Sequence, residues 1–131
     1  MYYDYDSGAY IIWRMRRHRV FVSSETDVYF GKVLDDYVKM EALPFNWRDI
    51  LAQYNPDFVL MGSDDRQSNL FLNAPDWALV YTDGDLNTID GRPVNLIFVK
   101  RIPEVSPLIK RCRHDCPAIA KLANEGYVAA L

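Results

Sequence analysis

Asn55-Pro56-Asp57-Phe58-Val59-Leu60-Met61-Gly62-Ser63-Asp64-Asp65 is the stretch on which the fold reading of this chain turns. A turn leads into four unbroken apolar residues, and the run ends on glycine, serine and two carboxylates. Apolar runs without polar alternation are the pattern of strands covered on both faces, as in parallel sheets flanked by helices. Helical patterns precede and follow the run, so it reads as a middle strand of an α/β sheet. That assignment sets Ser63, Asp64 and Asp65 at the carboxyl end of the strand, the edge where open α/β sheets bind their ligands.

Working outward, residues 46–54 read as a short helix. Asn46 and Asp49 stand at capping-box spacing, and Ile50, Leu51 and Tyr54 supply an apolar stripe. Before it, Thr26 or Asp27 caps a helix reaching Met40, with Phe30, Val33, Leu34, Tyr37 and Val38 on one face and Asp35 and Asp36 on the solvated side. Residues 19–24 read as a strand. Ser7 and Gly8 open a first helix with Ile11, Ile12 and Trp13 buried and an arginine-rich far end. On the other side, Asp64 or Asp65 caps a helix running to Asn73, with Leu70 and Phe71 inward and Ala74-Pro75 ending it. Residues 77–82 form the next strand, closed by Asp83-Gly84-Asp85. Residues 86–89 and 94–99 pair as an antiparallel hairpin across Asp90-Gly91. Ser106-Pro107 begins the last helical region, which Pro117 interrupts, and residues 126–131 read as a frayed tail. The expectation is a single α/β domain over residues 1–131, a mostly parallel sheet flanked by helices with one antiparallel hairpin.

A chain of 131 residues can bury about two thirds of its unfolded surface as one domain. Its net charge of −3 lacks the basic excess of a nucleic-acid binder, so no nucleic-acid partner is expected. No stretch approaches the roughly 20 apolar residues that cross a bilayer. Met1 is followed by Tyr2-Tyr3-Asp4-Tyr5-Asp6, not by the basic and apolar regions of a signal peptide, so the start reads as native or as excised from something longer. The cluster Arg14, Arg16, Arg17, His18 and Arg19 reads first as a solvated helix end favoured by the dipole, and second as a basic anchor for phospholipid or a phosphate group.

Chemistry-bearing patterns are sparse. Asp83-Gly84-Asp85 has the spacing by which carboxylates hold a divalent ion against a diphosphate, but the same tripeptide makes an ordinary turn. Ser63, Asp64 and Asp65 would join Asp83 and Asp85 in an acidic pocket if their strands were neighbours, whereas helix capping accounts for Asp64 or Asp65 without any ligand. Cys112-Arg113-His114-Asp115-Cys116 falls short of the four ligands a structural zinc requires; a disulfide across the turn before Pro117 is open to the pair in an oxidising compartment, whereas an intact helical turn would hold the two thiols too far apart. There is no nucleophile elbow and no glycine-rich phosphate loop. Trp13, Trp47 and Trp77 read as packing residues before sugar-stacking ones. Neither a metal site nor a cofactor is assigned.

Tyr5-Asp6-Ser7-Gly8-Ala9-Tyr10-Ile11-Ile12-Trp13 resembles the Tyr-Asp-x-Gly-Gly-Tyr-Leu-Ile-Trp stretch after the last membrane helix of GT-C type, lipid-carrier-dependent glycosyltransferase-like proteins of prokaryotes. Arg19-Val20-Phe21-Val22, Asp27-Val28-Tyr29-Phe30-Gly31, Leu34-Asp35-Asp36-Tyr37 and the segments from Trp47, Asp57 and Trp77 are similar to later elements of that family, in order. The resemblance spans roughly residues 2–101. It departs where the family has Asp-Gly-Arg and this chain reads Ser23-Ser24-Glu25. The hairpin around Asp90-Gly91 and the tail beyond Pro103 have no counterpart either. The resemblance implies a soluble extracytoplasmic α/β domain whose catalytic partner is the membrane portion, so no catalytic residue is carried over. The expected function is a non-catalytic accessory or binding domain acting beside that membrane-embedded portion, toward a glycan or lipid-linked sugar. Its ligand-facing residues would be Ser23, Glu25, Ser63, Asp64, Asp83 and Asp85. The alternative is a small free-standing enzyme using an Asp-lined, metal-assisted site for hydrolysis or glycosyl transfer.

Overall fold

The computed structural model describes residues 2–3, 13–14, 17, 31–62, 65–82 and 95–115. Two units, Met1–Asp57 and Phe58–Leu131, are each considered by themselves. The expected strand over residues 19–24, the hairpin partner over residues 86–89 and the tail over residues 126–131 lie outside the described residues.

The first unit contains a two-residue strand, β1 (Tyr2–Tyr3), and two helices, α1 (Lys32–Glu41) and α2 (Trp47–Ala52). Gly31 precedes α1 at φ 92° and ψ −143°, a backbone region that essentially only glycine occupies. The face α1 buries is not the one its aliphatic residues suggest. Asp36, Tyr37 and Met40 are buried, Val33 and Leu34 are half-buried, and Val38 is exposed. Positions 33, 36, 37 and 40 recur at i, i+3, i+4 and i+7, a single helical stripe, with a carboxylate in its middle. The expectation that Asp36 faces solvent is therefore overturned, whereas Asp35 is exposed as its position suggests.

Helix α1 ends through Leu43, whose φ of 52° is left-handed and whose N–H donates to the Met40 carbonyl at 3.0 Å. Leucine is an unusual occupant of that helix-terminating conformation, which favours glycine. Helix α2 buries Trp47, Ile50 and Leu51. Asn46 occupies its N-cap position but makes no side-chain capping bond, so the expected capping box does not form. Trp13 and Arg14 are helical and both exposed, with the Arg14 guanidinium 5.4 Å from the Trp13 ring, so Trp13 is not the buried residue expected there.

The second unit holds a small sheet of β2 (Phe58–Gly62), β3 (Trp77–Thr82) and β4 (Asn95–Lys100), with helices α3 (Ser68–Leu72) and α4 (Ser106–Asp115). The mostly parallel sheet expected from sequence is contradicted: every ladder among these three strands is antiparallel. Strand β4 lies in the middle, pairing Phe58 with Val99 and Met61 with Leu96 on one side, and Trp77 with Lys100 and Leu79 with Phe98 on the other. Because β2 and β3 both oppose β4, they run in the same direction without touching. The β2–α3–β3 segment is thus a split crossover, filled by a later strand of opposite sense.

Strand β2 is also not covered on both faces. Val59 and Met61 are buried while Phe58, Leu60 and Gly62 are half-buried, and β4 repeats the alternation with Leu96 and Phe98 inward. Register places Val59, Met61, Leu96, Phe98 and Leu79 on one face. The core gathers there around Phe71 of α3, whose ring lies edge-on to Trp77 at 5.3 Å and tilted against Phe98 at 5.6 Å. Among the described strands, only at Trp77, Ala78 and Leu79 are three successive residues buried, where α4 also packs on β3 and buries Ile109. Asp65 caps the turn into α3, its Oδ1 accepting the Gln67 N–H at 2.9 Å. A 3-10 turn, Pro103–Val105, leads into α4.

Candidate functional site

The most developed charged constellation among the described residues lies in the first unit, around Asp36. Helix α1 carries Lys32, Asp36 and Lys39 on adjoining turns, and the segment after α2 brings Gln53 and Tyr54 to them. Asp36 is the one charged residue buried among those described, with its side chain 5% exposed. Burial of a carboxylate demands partners, and Asp36 has three. The Lys32 ammonium donates to Oδ2, the Tyr54 hydroxyl donates to the same oxygen at 2.6 Å, and the Lys39 ammonium approaches Oδ1 at 3.5 Å. Lys32 also donates to Gln53 Oε1 at 2.6 Å and lies 5.5 Å from the centre of the Tyr54 ring.

These contacts set the protonation states. The bond from Lys32 above all, then those from Tyr54 and Lys39, hold the Asp36 carboxyl below its ordinary value of 3.8 against the opposing effect of burial. Tyr54 moves the other way: burial, the bond to Asp36 and the carboxylate charge push its phenol up to about 12. At neutral pH the pair is therefore carboxylate and phenol, with the proton firmly on oxygen of tyrosine. Asp36 also borders an open depression of about 550 Å³ whose lining includes Lys32, Asp35, Lys39, Asn46 and Gln53.

The residues singled out from sequence fare differently. Ser23, Glu25, Ser63, Asp64, Asp83 and Asp85 all lie outside the described residues. The strand ends that precede four of them are described: Gly62 pairs with Asn95 and Thr82 with Leu96, which sets both ends at one edge of the sheet. The condition attached to a shared acidic pocket, that the two strands be neighbours, is not met. With β4 between them they stand about two strand spacings, roughly 10 Å, apart.

Of the basic cluster, Arg14 and Arg17 are exposed, and Arg16, His18 and Arg19 lie outside the described residues. Cys112 is a half-buried free thiol on α4, and Cys116 falls outside. His114 is exposed and bonds its neighbour Asp115 at 3.0 Å. Among the described residues no three His, Cys, Asp or Glu side chains gather as metal ligands. Trp47 and Trp77 are buried, in keeping with packing roles.

Sequence reasoning missed Asp36, Lys32 and Tyr54 as a group. The available signal was the stripe 33-36-37-40, which places a carboxylate where a core residue belongs and so calls for a cationic or hydroxyl partner. No helix among the described residues is long and apolar enough to cross a membrane. Compared with family models, curated proteins and solved structures, the chain matches none.

Proposed function

We propose that this chain is a non-catalytic accessory or binding domain, acting at the extracytoplasmic face of a membrane beside a glycosyltransferase-like protein. One observation carries the non-catalytic part: the buried Asp36 carboxylate is committed to three internal partners and is held ionised, while its phenolic neighbour is held protonated. General acid–base work needs a group that exchanges its proton near the working pH, and both members of this pair are displaced away from neutrality. Their arrangement suits fastening α1 to the segment after α2. The membrane setting is supported by the ordered resemblance running from Tyr5 to Asp83.

Two measurements test the two parts. A metal present at a hundredfold excess over its dissociation constant stabilises a fold by about 2.7 kcal/mol. The melting temperature is expected to stay unmoved by calcium, magnesium or manganese, and a metal-specific rise would overturn the non-catalytic reading. For the setting, a membrane-impermeant maleimide applied to intact cells that express the protein natively is expected to label Cys112. Labelling only after lysis would contradict an extracytoplasmic location.

A further inference from the structure

The depression beside Asp36 has an inventory of unused hydrogen-bonding groups. Asp35 and Lys39 stand in the i,i+4 order that favours an ion pair, yet the Lys39 ammonium turns to Asp36 instead. Asp35 is left exposed and without a side-chain partner among the described residues. Lys39 uses one of its three N–H donors, at the long distance of 3.5 Å. The Asn46 amide makes no capping bond to its own helix. Pro44 and Ile50 contribute an apolar patch to the same wall.

Charge decides which ligand such a lining suits. Lys32 and Lys39 balance Asp35 and Asp36, so the lining carries no net charge. It offers both free acceptors and free donors. A hydroxyl group answers both, donating to the Asp35 carboxylate while accepting from Lys39 or Asn46. A saturated ring adds C–H surface for Pro44 and Ile50. The volume of about 550 Å³ lies within the roughly 300–1,000 Å³ of small-ligand sites.

We propose that this depression is a binding site for an uncharged polyhydroxylated ligand, such as the vicinal hydroxyls of a sugar ring. The assignment names a ligand class for the binding role proposed above and rests on that reading. Water competes for every one of these groups, so the affinity for a single ring is weak, with a dissociation constant of about 1 mM.

The test is a heteronuclear NMR titration of the full chain with the methyl glycosides of glucose, mannose, galactose and N-acetylglucosamine, with inorganic phosphate and glycine as charged controls. At least one glycoside is expected to shift the Asp35, Lys39 and Asn46 amides saturably. Asp35→Asn and Asn46→Ala, both exposed and outside the Asp36 contacts, are each expected to weaken that binding about tenfold while lowering the melting temperature by no more than about 4 °C, the effect of losing a first-turn acid or an N-cap residue. The proposal is overturned if no glycoside saturates those amides, if phosphate or glycine saturates them more tightly, or if both variants bind as the parent does. Any of these results with a flat metal response removes the ligand class alone. A metal-specific rise in melting temperature removes the non-catalytic reading whatever the sugars do.

Discussion

Replacing Asp36 by alanine separates a structural fastening from an idle charge. The two lysine side chains that reach Asp36 are 66% and 63% exposed, so on its removal they return to water. Exposed pairs of this kind are worth about 0.2–1 kcal/mol, and here the low end applies. The larger loss is at Tyr54, whose half-buried hydroxyl gives up a 2.6 Å bond to a charged acceptor. Such bonds contribute about 1.5–3 kcal/mol, and partial access of water to Tyr54 again selects the low end. Asp36→Ala should therefore cost roughly 2 kcal/mol, a fall of about 8 °C at roughly 4 °C per kcal/mol for a chain of this size. Asp36→Asn keeps the shape and an acceptor for the phenol, and should cost about half as much. Urea melts of both variants, of Tyr54→Phe and of the Asp36→Ala/Tyr54→Phe double variant close a thermodynamic cycle. The expected Asp36–Tyr54 coupling is about 1.5 kcal/mol. A coupling within about 0.3 kcal/mol of zero, with Asp36→Ala costing less than about 0.5 kcal/mol, would refute the fastening role.

Three further outcomes are expected. Because the folded-state value of Asp36 lies below 3.8, its contribution to stability is present above that pH and drains away as pH falls through the lower, folded value. The stability gap between the parent and Asp36→Asn should thus close in acid melts below pH 3.8, and a gap that widens there would contradict the assigned direction. Phe71→Ala removes the ring wedged between Trp77 and Phe98 and should cost about 3–5 kcal/mol by urea denaturation, whereas a loss below about 1 kcal/mol would mean that the face is not the core. Leu43→Gly relieves a left-handed leucine and should raise stability by about 0.5–1 kcal/mol in the same assay; a clear loss would show that the Leu43 side chain contributes more than its strained backbone costs.

Local patterns carried the elements well and the pairing poorly. Residues 77–82 form a strand over the bounds their composition indicates, and the apolar run from Phe58 and the helix from Ser106 form where expected. Strand order is a different kind of information. A strand–helix–strand succession implies that β2 and β3 run the same way, but nothing within it announces that residues 95–100 will return and occupy the space between them. The apolar run of β2 was similarly ambiguous. Phe58 and Leu60 sit half-buried opposite Val99 and Ile97, so an unbroken apolar strand here serves one covered face and one partly covered face. Asp36 escaped for a chemical reason, since a carboxylate scores as solvent-seeking until its partners are known. Two of those partners, Lys32 and Lys39, sit nearby on the same helix, but the hydroxyl that completes the set comes from Tyr54, eighteen positions away. The depression over Asp36 was invisible for the same reason, being assembled from α1, the turn after it and the end of α2.

The titration of one side chain bears most directly on whether this chain is built to bind or to catalyse. Carbon-detected NMR of the Asp36 carboxyl, assigned by its loss in Asp36→Asn, reads its protonation in the folded protein. A midpoint below 3.8 is expected, with the carboxylate ionised across the physiological range. A midpoint raised toward neutrality would contradict the account, because it would reveal a buried acid holding an exchangeable proton in the lining of a solvent-open depression.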